Sequence, residues 1–547
     1  MSEEGRMALS LRGVRPVAQV PRRMFGSFVE HLGRCVYGGI YEPGDPAADE
    51  DGFRRDVLDL VKELGVTCVR YPGGNFVSGY NWEDGTGPRQ DRPVRRDLAW
   101  HATETNQMGI DDFYRWSRKA GTEIMLAVNM GTRGMKSALE ELEYVNGAPG
   151  TELADRRVAN GIPDPMGVAM WCIGNEMDGP WQVGHMSPEE YAAAVDRTAH
   201  AMKLADPGLQ LVACGSSSAH MPTFGRWERT VLGKAYEHVD FVSCHAYYYE
   251  HRSEGLQDFM ASDEDMKTFI TSVVEAADDA RAANQGRRNI MLSFDEWGVW
   301  NSEEWNQQET EWKASSNGLH TQPWPEAPRQ LEEVYTAADA VVEGGLMITL
   351  LKHSDRVRSA SRAQLVNVIA PIMAEPGQPA WRQTIFYPFA IAAAHARGDV
   401  YLPQVEGDAP QVETKSYGSV DAVEAVVTWD PTGRGEWSQE GDPCAAACDG
   451  GPQVGSGSGL VLAVNRDVAD GHRVTLDLRD LGGQDAGNQA ALHVVATHLL
   501  HDDDPHAVNG PDRPGRVAPH AFDVDCTGGV ISFDLPPVSW AAIELSR

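Results

Sequence analysis

The sequence predicts an α/β chain, a (β/α)8 TIM barrel over residues 21–397 followed by an antiparallel β-sandwich over residues 398–547. Three observations predict it. From about residue 24 to 396, short apolar runs ending in polar residues alternate with amphipathic stretches of helical length. After Gly398 the helical period gives way to segments with a period of two. The chain's 547 residues exceed the roughly 250–300 at which one hydrophobic core stops growing.

In chain order, residues 1–20 precede the barrel, and their apolar piece Ala8–Leu11 is expected to add a strand to the sandwich. The barrel strands are predicted at Met24–Glu30, Thr67–Tyr71, Ile124–Asn129, Ala169–Glu176, Gln210–Cys214, Phe241–Tyr247, Ile290–Glu296 and Leu346–His353. Helical patterns fall between and after them, at Phe53–Leu64, Ile110–Ala120, Pro188–Ala205, Asp265–Ala283, Leu331–Val342 and Trp381–Ala396. Parallel strands joined by helices need both faces covered, so eight such units close more naturally into a barrel than into an open sheet. The sandwich strands are predicted at Ala422–Thr428, Leu460–Asn465, Arg473–Leu478, Ala491–His498, Gly529–Leu535 and Trp540–Leu545. Between the first two, residues 430–459 are rich in Gly, Ser and Asp and read as a long exposed loop.

Acidic residues outnumber basic ones 80 to 47, a formal net charge of −33. Such a surface repels phosphate backbones and anionic lipid, which argues against nucleic acid or membrane as partner and leaves a neutral sugar unaffected. The N-terminal Met1-Ser-Glu-Glu-Gly-Arg lacks a basic region followed by an apolar one, the pattern expected of a cytoplasmic protein. Cys35, Cys68, Cys172, Cys214 and Cys244 lie in or beside apolar, strand-like runs, as buried reduced thiols do.

In such barrels the reacting groups stand at the C-terminal ends of strands. Three glutamates end strand-like runs there: Glu30 in Gly26-Ser-Phe-Val-Glu-His, Glu176 in Trp171-Cys-Ile-Gly-Asn-Glu-Met, and Glu296 in Leu292-Ser-Phe-Asp-Glu-Trp-Gly. Any one of them alone reads equally well as the partner of an arginine at the rim. As a set they suit sugar chemistry, because glycosidic cleavage with retention needs two carboxylates about 5–5.5 Å apart. Glu176, on the fourth strand, is expected to start protonated, donate to the leaving oxygen and then activate water. Glu296, on the seventh, is expected to be ionised and attack the anomeric carbon. Asn175, just before Glu176, is placed to bond a hydroxyl beside the reacting carbon. Arg70 and Asn75 after strand two, His245 and Tyr247 after strand six, and Trp300 after strand seven add the polar and aromatic groups that hold sugars. His185, His220 and His245 lie in unrelated segments without metal-ligand spacing, so no metal and no cofactor is expected.

Four segments carry a resemblance: Met24-Phe-Gly-Ser-Phe-Val-Glu-His-Leu-Gly33, Arg70-Tyr-Pro-Gly-Gly-Asn75, Gly174-Asn-Glu-Met-Asp-Gly-Pro-Trp181 and Asp295-Glu-Trp297. The chain resembles glycoside hydrolase family 51, the α-L-arabinofuranosidases, and the likeness extends through Asp97–Trp100, Ala363–Pro371 and Asp504–Pro519. The resemblance implies a retaining enzyme with a jelly-roll companion domain that removes terminal arabinose from arabinoxylan or arabinan fragments. It implies that Glu30, Asn75, Asn175, Tyr247 and Gln364 hold the arabinofuranosyl ring, with Trp100 and Trp300 shaping the pocket. A homohexamer is implied as well. The chain departs from the family at residues 430–459, which are longer and richer in Gly than the family's sandwich carries there. The rival readings are another retaining glycosidase of the same clan, a β-xylosidase or endoglucanase, and a non-catalytic carbohydrate-binding barrel.

Overall fold

The computed structural model describes residues 6–303, 305–307, 310, 319, 323–435, 457–482 and 491–547. Eight parallel strands close into a barrel: β1 (Gly26–Phe28), β2 (Cys68–Tyr71), β3 (Glu123–Ala127), β4 (Met170–Ile173), β5 (Gln210–Ala213), β6 (Phe241–Tyr248), β7 (Met291–Val299) and β8 (Val357–Arg362). Each pairs with its neighbours in sequence, and β8 closes onto β1 through Ser361–Gly26 and Arg362–Ser27. Most of the predicted runs become these strands because both faces of a barrel strand are covered, one by the packed interior and one by the helical ring.

The eighth strand is a correction. Leu346–His353, predicted as a strand, lies in the helix Ala337–Lys352 and the turn after it. The strand is Val357–Arg362, six residues of which only Val357 and Ala360 are apolar. Every residue of the helix from Ala337 to Leu351 except the capping Asp339 is buried, so the amphipathic period that marks a surface helix is absent, and an apolar run of that kind does not declare its own geometry. A capping box starts the helix: Thr336 Oγ1 accepts from the Asp339 N–H, and Asp339 accepts from the Thr336 N–H. The helix predicted at Leu331–Val342 therefore begins at Ala337, and the one predicted at Trp381–Ala396 is a two-residue strand, Trp381–Arg382, followed by the helix Phe386–His395.

That largely buried helix is sandwiched between the barrel and a second domain. One five-stranded sheet of this domain runs in the order Asp399–Tyr401, Val423–Asp430, Ser458–Asn465, Ser539–Ser546, His493–Leu500. The opposing sheet runs Gln404–Val405, Arg6–Ser10, His472–Asp477, Val530–Leu535, Val524–Thr527. The N-terminal strand Arg6–Ser10 is parallel to His472–Asp477 within this otherwise antiparallel sheet. Alternation along Val423–Asp430 shows how the first sheet serves two cores. Val423, Ala425, Val427 and Trp429 pack between the sheets, whereas Val426 packs with the barrel cluster. Likewise Val461 and Ala463 face the sandwich interior while Leu460, Leu462 and Val464 face the barrel. The sequence 430–459, read as a loop, lies outside the described residues from 436 to 456.

Where helix and sheet meet there is no room for a methyl group. A Cβ on Gly344 would stand 2.2 Å from Cδ1 of Trp540, whose ring is fully buried. We expect Gly344→Val to cost about 1–3 kcal/mol by overpacking, read as a lower thermal unfolding midpoint. An unchanged midpoint would mean that the two domains are not locked through this contact.

Candidate active site

A cavity of about 950 Å³ opens at the C-terminal ends of the barrel strands. Glu30, Asn75, Trp100, Glu176, Tyr247, Glu296, Trp300 and Gln364 all line it. Arg70, Asn175 and His245 stand behind this surface, each almost wholly buried, and make contact with groups that do line it.

Glu296 sits on β7 where the pairing register with β6 shifts between Ser293 and Glu296. A bulge of this kind re-aims a side chain. Past the shift, Glu296 is opposite His245 and Gly298 is opposite Tyr247, so two groups of β6 that share a face, His245 and Tyr247, meet the carboxylate. Tyr247 donates its hydroxyl to Glu296 Oε2 at 2.7 Å, and Arg70 Nη1 of β2 donates to Oε1 at 2.8 Å. Arg70 Nη2 donates at 2.6 Å to Asn175 Oδ1, which ties the end of β4 to the same cation. Burial opposes ionisation of Glu296, but His245, the guanidinium and the tyrosine hydroxyl outweigh it and hold the carboxyl below the usual range.

Glu176 follows β4 after two unusual backbone positions, Gly174 at φ 97° and Glu176 itself at φ 42°. The left-handed region costs a non-glycine residue about 1–2 kcal/mol, so the surrounding contacts must hold it. They do so at both oxygens. His245 Nδ1 lies 2.9 Å from Oε1, and Trp181 donates its indole N–H to Oε2 at 2.7 Å. His245 Nδ1 is also 3.7 Å from Glu296 Oε2, and burial's downward pull on this imidazole is overcome by the two carboxylates, which raise it. One oxygen each from Glu176 and Glu296 falls, with a nitrogen of His245, inside a span of 4.8 Å. That is close to the separation used for direct attack and below the roughly 6.5–9.5 Å that leaves room for an intervening water.

On the far wall, Glu30 after β1 accepts from the Phe76 N–H (2.9 Å), the Trp100 indole (2.9 Å) and Gln364 Nε2 (3.1 Å). Burial pushes its carboxyl up to about 8, and the charge of Glu296 adds to the rise against these donors. A Cβ on Gly74 would stand 2.7 Å from Glu30 Oε2, so glycine is what lets the Gly73-Gly74 backbone close over the carboxylate. Trp100 is fixed from behind by Asp97, which accepts from the backbone N–H of Ala99 and of Trp100, both at 3.0 Å. Trp300 meets Tyr247 edge to face at 5.1 Å.

Three contributors escaped residue-by-residue reading of the sequence: Trp181, Gln182 and Asp97. Trp181 and Gln182 lie in an irregular stretch after β4, where no period announces which side chains turn back. Gln182 Nε2 reaches Ser78 Oγ and its Oε1 lies 3.5 Å from Asn175 Nδ2. Glu176, His245 and Glu296 also form a donor set that a cation might share by distance alone. All four carboxylate oxygens already have partners, however, and one of these is the Arg70 cation, so the set is arranged for hydrogen bonding and charge pairing. A second such set, Asp263, Glu264 and Glu424, is neutralised by Lys267 and Arg466 at the seam between the domains.

The comparisons with known proteins agree with this geometry. Residues 60–268 match the α-L-arabinofuranosidase 1 domain model, and residues 295–539 match the α-L-arabinofuranosidase C-terminal domain model. A Bifidobacterium longum protein named intracellular exo-α-(1→5)-L-arabinofuranosidase is 64% identical over 97% of this chain and 90% of its own. A second protein of that organism, named exo-α-(1→6)-L-arabinofuranosidase, is 49% identical over 97% of this chain and 95% of its own. Among solved structures, a family 51 α-L-arabinofuranosidase from Bifidobacterium longum superposes with a TM-score of 0.91 at 62% identity, covering 99% of this chain and all of that one. Matches of this extent and identity, spread over both domains, place the chain in glycoside hydrolase family 51, the α-L-arabinofuranosidases.

Proposed function

We propose that the protein is an exo-acting, retaining α-L-arabinofuranosidase that releases terminal arabinofuranose from arabinan- or arabinoxylan-derived oligosaccharides inside the cell. The observation that carries the mechanism is the short span between the carboxylates of Glu176 and Glu296. Glu296, held ionised between Arg70 and Tyr247, attacks the anomeric carbon while Glu176 protonates the leaving oxygen. Water then enters on the Glu176 side, gives up a proton to it, and opens the glycosyl ester with net retention. Glu30, Asn75 and Gln364 bind the ring hydroxyls, with Asn175 orienting Asn75 from behind and Trp100 and Trp300 as apolar walls. His245 Nδ1, 2.9 Å from Glu176 and 3.7 Å from Glu296, spans the two carboxyl groups and fixes their spacing.

The relative at 64% identity supports the α-(1→5) bond as the preferred linkage, and the (1→6) relative at 49% sets the alternative. Product analysis by NMR on arabino-oligosaccharides of defined linkage tests bond choice and stereochemistry together. Release of β-arabinofuranose as the first product would overturn retention. Hydrolysis of an aryl β-xyloside in preference to an aryl α-L-arabinofuranoside would move the substrate to the rival clan member. No nucleic acid, membrane or cofactor enters the scheme; among the described residues no helix is long and apolar enough to cross a membrane. The homohexamer implied by resemblance is tested by light scattering on the full chain.

A pH prediction follows from Glu296. Its carboxyl lies below the usual range because His245 and Arg70 overcome burial, so the acid limb of kcat/KM, which reports its protonation in the free enzyme, lies below the ordinary glutamate value. Arg70→Gln removes one of those cations and is expected to move that limb upward by about one pH unit or more. An unmoved limb would detach Arg70 from the ionisation of Glu296.

A further inference from the structure

The cavity that holds Glu176 and Glu296 does not end at them. At about 950 Å³ it lies near the upper end of volumes that enclose a drug-sized ligand, more than one furanose ring fills. On the side of β6, one branch of its lining comprises Tyr249 and Glu254, on the loop after β6, Asp265 on the helix Asp263–Ala283, and Ser416 and Tyr417. These last two do not belong to the barrel. They form the tip of a hairpin, Gln411–Glu413 paired with Ser419–Asp421, that the C-terminal domain sends onto the barrel face.

The hairpin is seated firmly. Val412 and Val420 bury against Ala261 of the barrel, with Tyr417 packed at the edge of this small core. Asp258 accepts from the backbone N–H groups of Lys415 (2.7 Å) and Ser416 (2.8 Å), and Lys415 Nζ donates to the Ser253 carbonyl at 2.8 Å. The tip is therefore fixed, although Tyr417 itself stays part-exposed toward the cavity. Asp265 accepts from the Tyr248 hydroxyl at 3.1 Å through Oδ2.

Direction follows from the barrel. Glu30, Asn75 and Gln364 come from the ends of β1, β2 and β8, whereas the branch opens on the side of β6, next to His245 and the Glu176 it touches. The leaving oxygen must stand beside the acid, so the chain beyond the bond being cut extends into this branch. Resting on the function proposed above, we propose that Tyr417, supplied by the C-terminal domain, binds the leaving-group portion of a neutral pentose oligosaccharide beyond its first sugar, its ring against sugar C–H faces while Asp265 and Glu254 accept hydroxyls.

The test compares 4-nitrophenyl α-L-arabinofuranoside with α-1,5-linked arabino-oligosaccharides of two to four sugars on the full chain. For the unaltered protein, kcat/KM is expected to rise with chain length. Tyr417→Ala is expected to lower kcat/KM on the tetrasaccharide about five- to tenfold, mainly through KM, and to change the aryl glycoside by less than about twofold. Tyr417→Phe should keep most of the long-chain rate. If thermal melting shows Tyr417→Ala to be misfolded, Asp265→Asn probes the same branch from the barrel side with the same expected split. Equal losses on all substrates, or no dependence on chain length, overturn the inference. Failure of the unaltered protein to cleave the aryl arabinofuranoside would instead remove the function on which it rests.

Discussion

Glu296→Ala is expected to abolish turnover of every arabinofuranoside, activated or not, by about 10⁴-fold or more. In the proposed mechanism the residue it removes forms the covalent bond, and a better leaving group cannot replace a missing nucleophile. The space left behind is bordered by Arg70 and Tyr247, whose donors had been committed to the carboxylate at 2.8 and 2.7 Å. A small anion is drawn to that site. Azide should therefore restore activity on an aryl glycoside and give an arabinosyl azide of inverted configuration, which NMR identifies. The variant also leaves the buried Arg70 without its main counter-charge, a change that costs several kcal/mol in comparable sites. Its melting point should fall, and Glu296→Gln, which keeps the shape, separates this from the chemical loss. Turnover within about tenfold of the unaltered protein would remove Glu296 as nucleophile.

Glu176→Ala is expected to divide substrates by leaving group. On oligosaccharides, whose alkoxide must be protonated as it departs, kcat should fall by about 10³–10⁴. On an aryl glycoside with an acidic phenol the first step needs little assistance, so the glycosyl-enzyme forms and accumulates until unassisted water removes it. Azide attacking that intermediate would give a product of retained configuration, opposite to the outcome for Glu296→Ala. Equal losses on both substrate types would show that Glu176 acts only in binding, and the pairing with His245 and Trp181 would then be a structural one.

Several features of this molecule follow from the order of its residues alone. A run such as Met170-Trp-Cys-Ile, ending in Gly-Asn-Glu, specifies a strand buried on both faces whose polar end emerges at a rim. The same logic brings Glu30 and Glu176 just past the ends of strands one and four, because buried backbone demands regular pairing and a charged group is tolerated where that pairing stops; Glu296 instead stands inside strand seven, at the register shift after which pairing resumes to Val299. Period-two patterning after Gly398 likewise specifies strands, and Val423–Asp430 is one of them.

Other features were decided by what packs against what. Ala337–Lys352 is buried on nearly every side because a sheet covers the face that solvent would otherwise wet, and nothing within the run reveals that cover. Val357–Arg362 is a barrel strand despite Ser359, Ser361 and Arg362, since Arg362 is neutralised by Glu343 from that same helix. Arg70 and Glu296 stand 226 residues apart in sequence and 2.8 Å apart in space, and their contact exists only once the barrel closes. Tyr417 reaches the cavity only once a hairpin from one domain docks on the other. Periodicity records whether a face is buried. The identity of the group that buries it, and hence the charge and hydrogen bonding each carboxylate meets, is settled by chain closure over long separations.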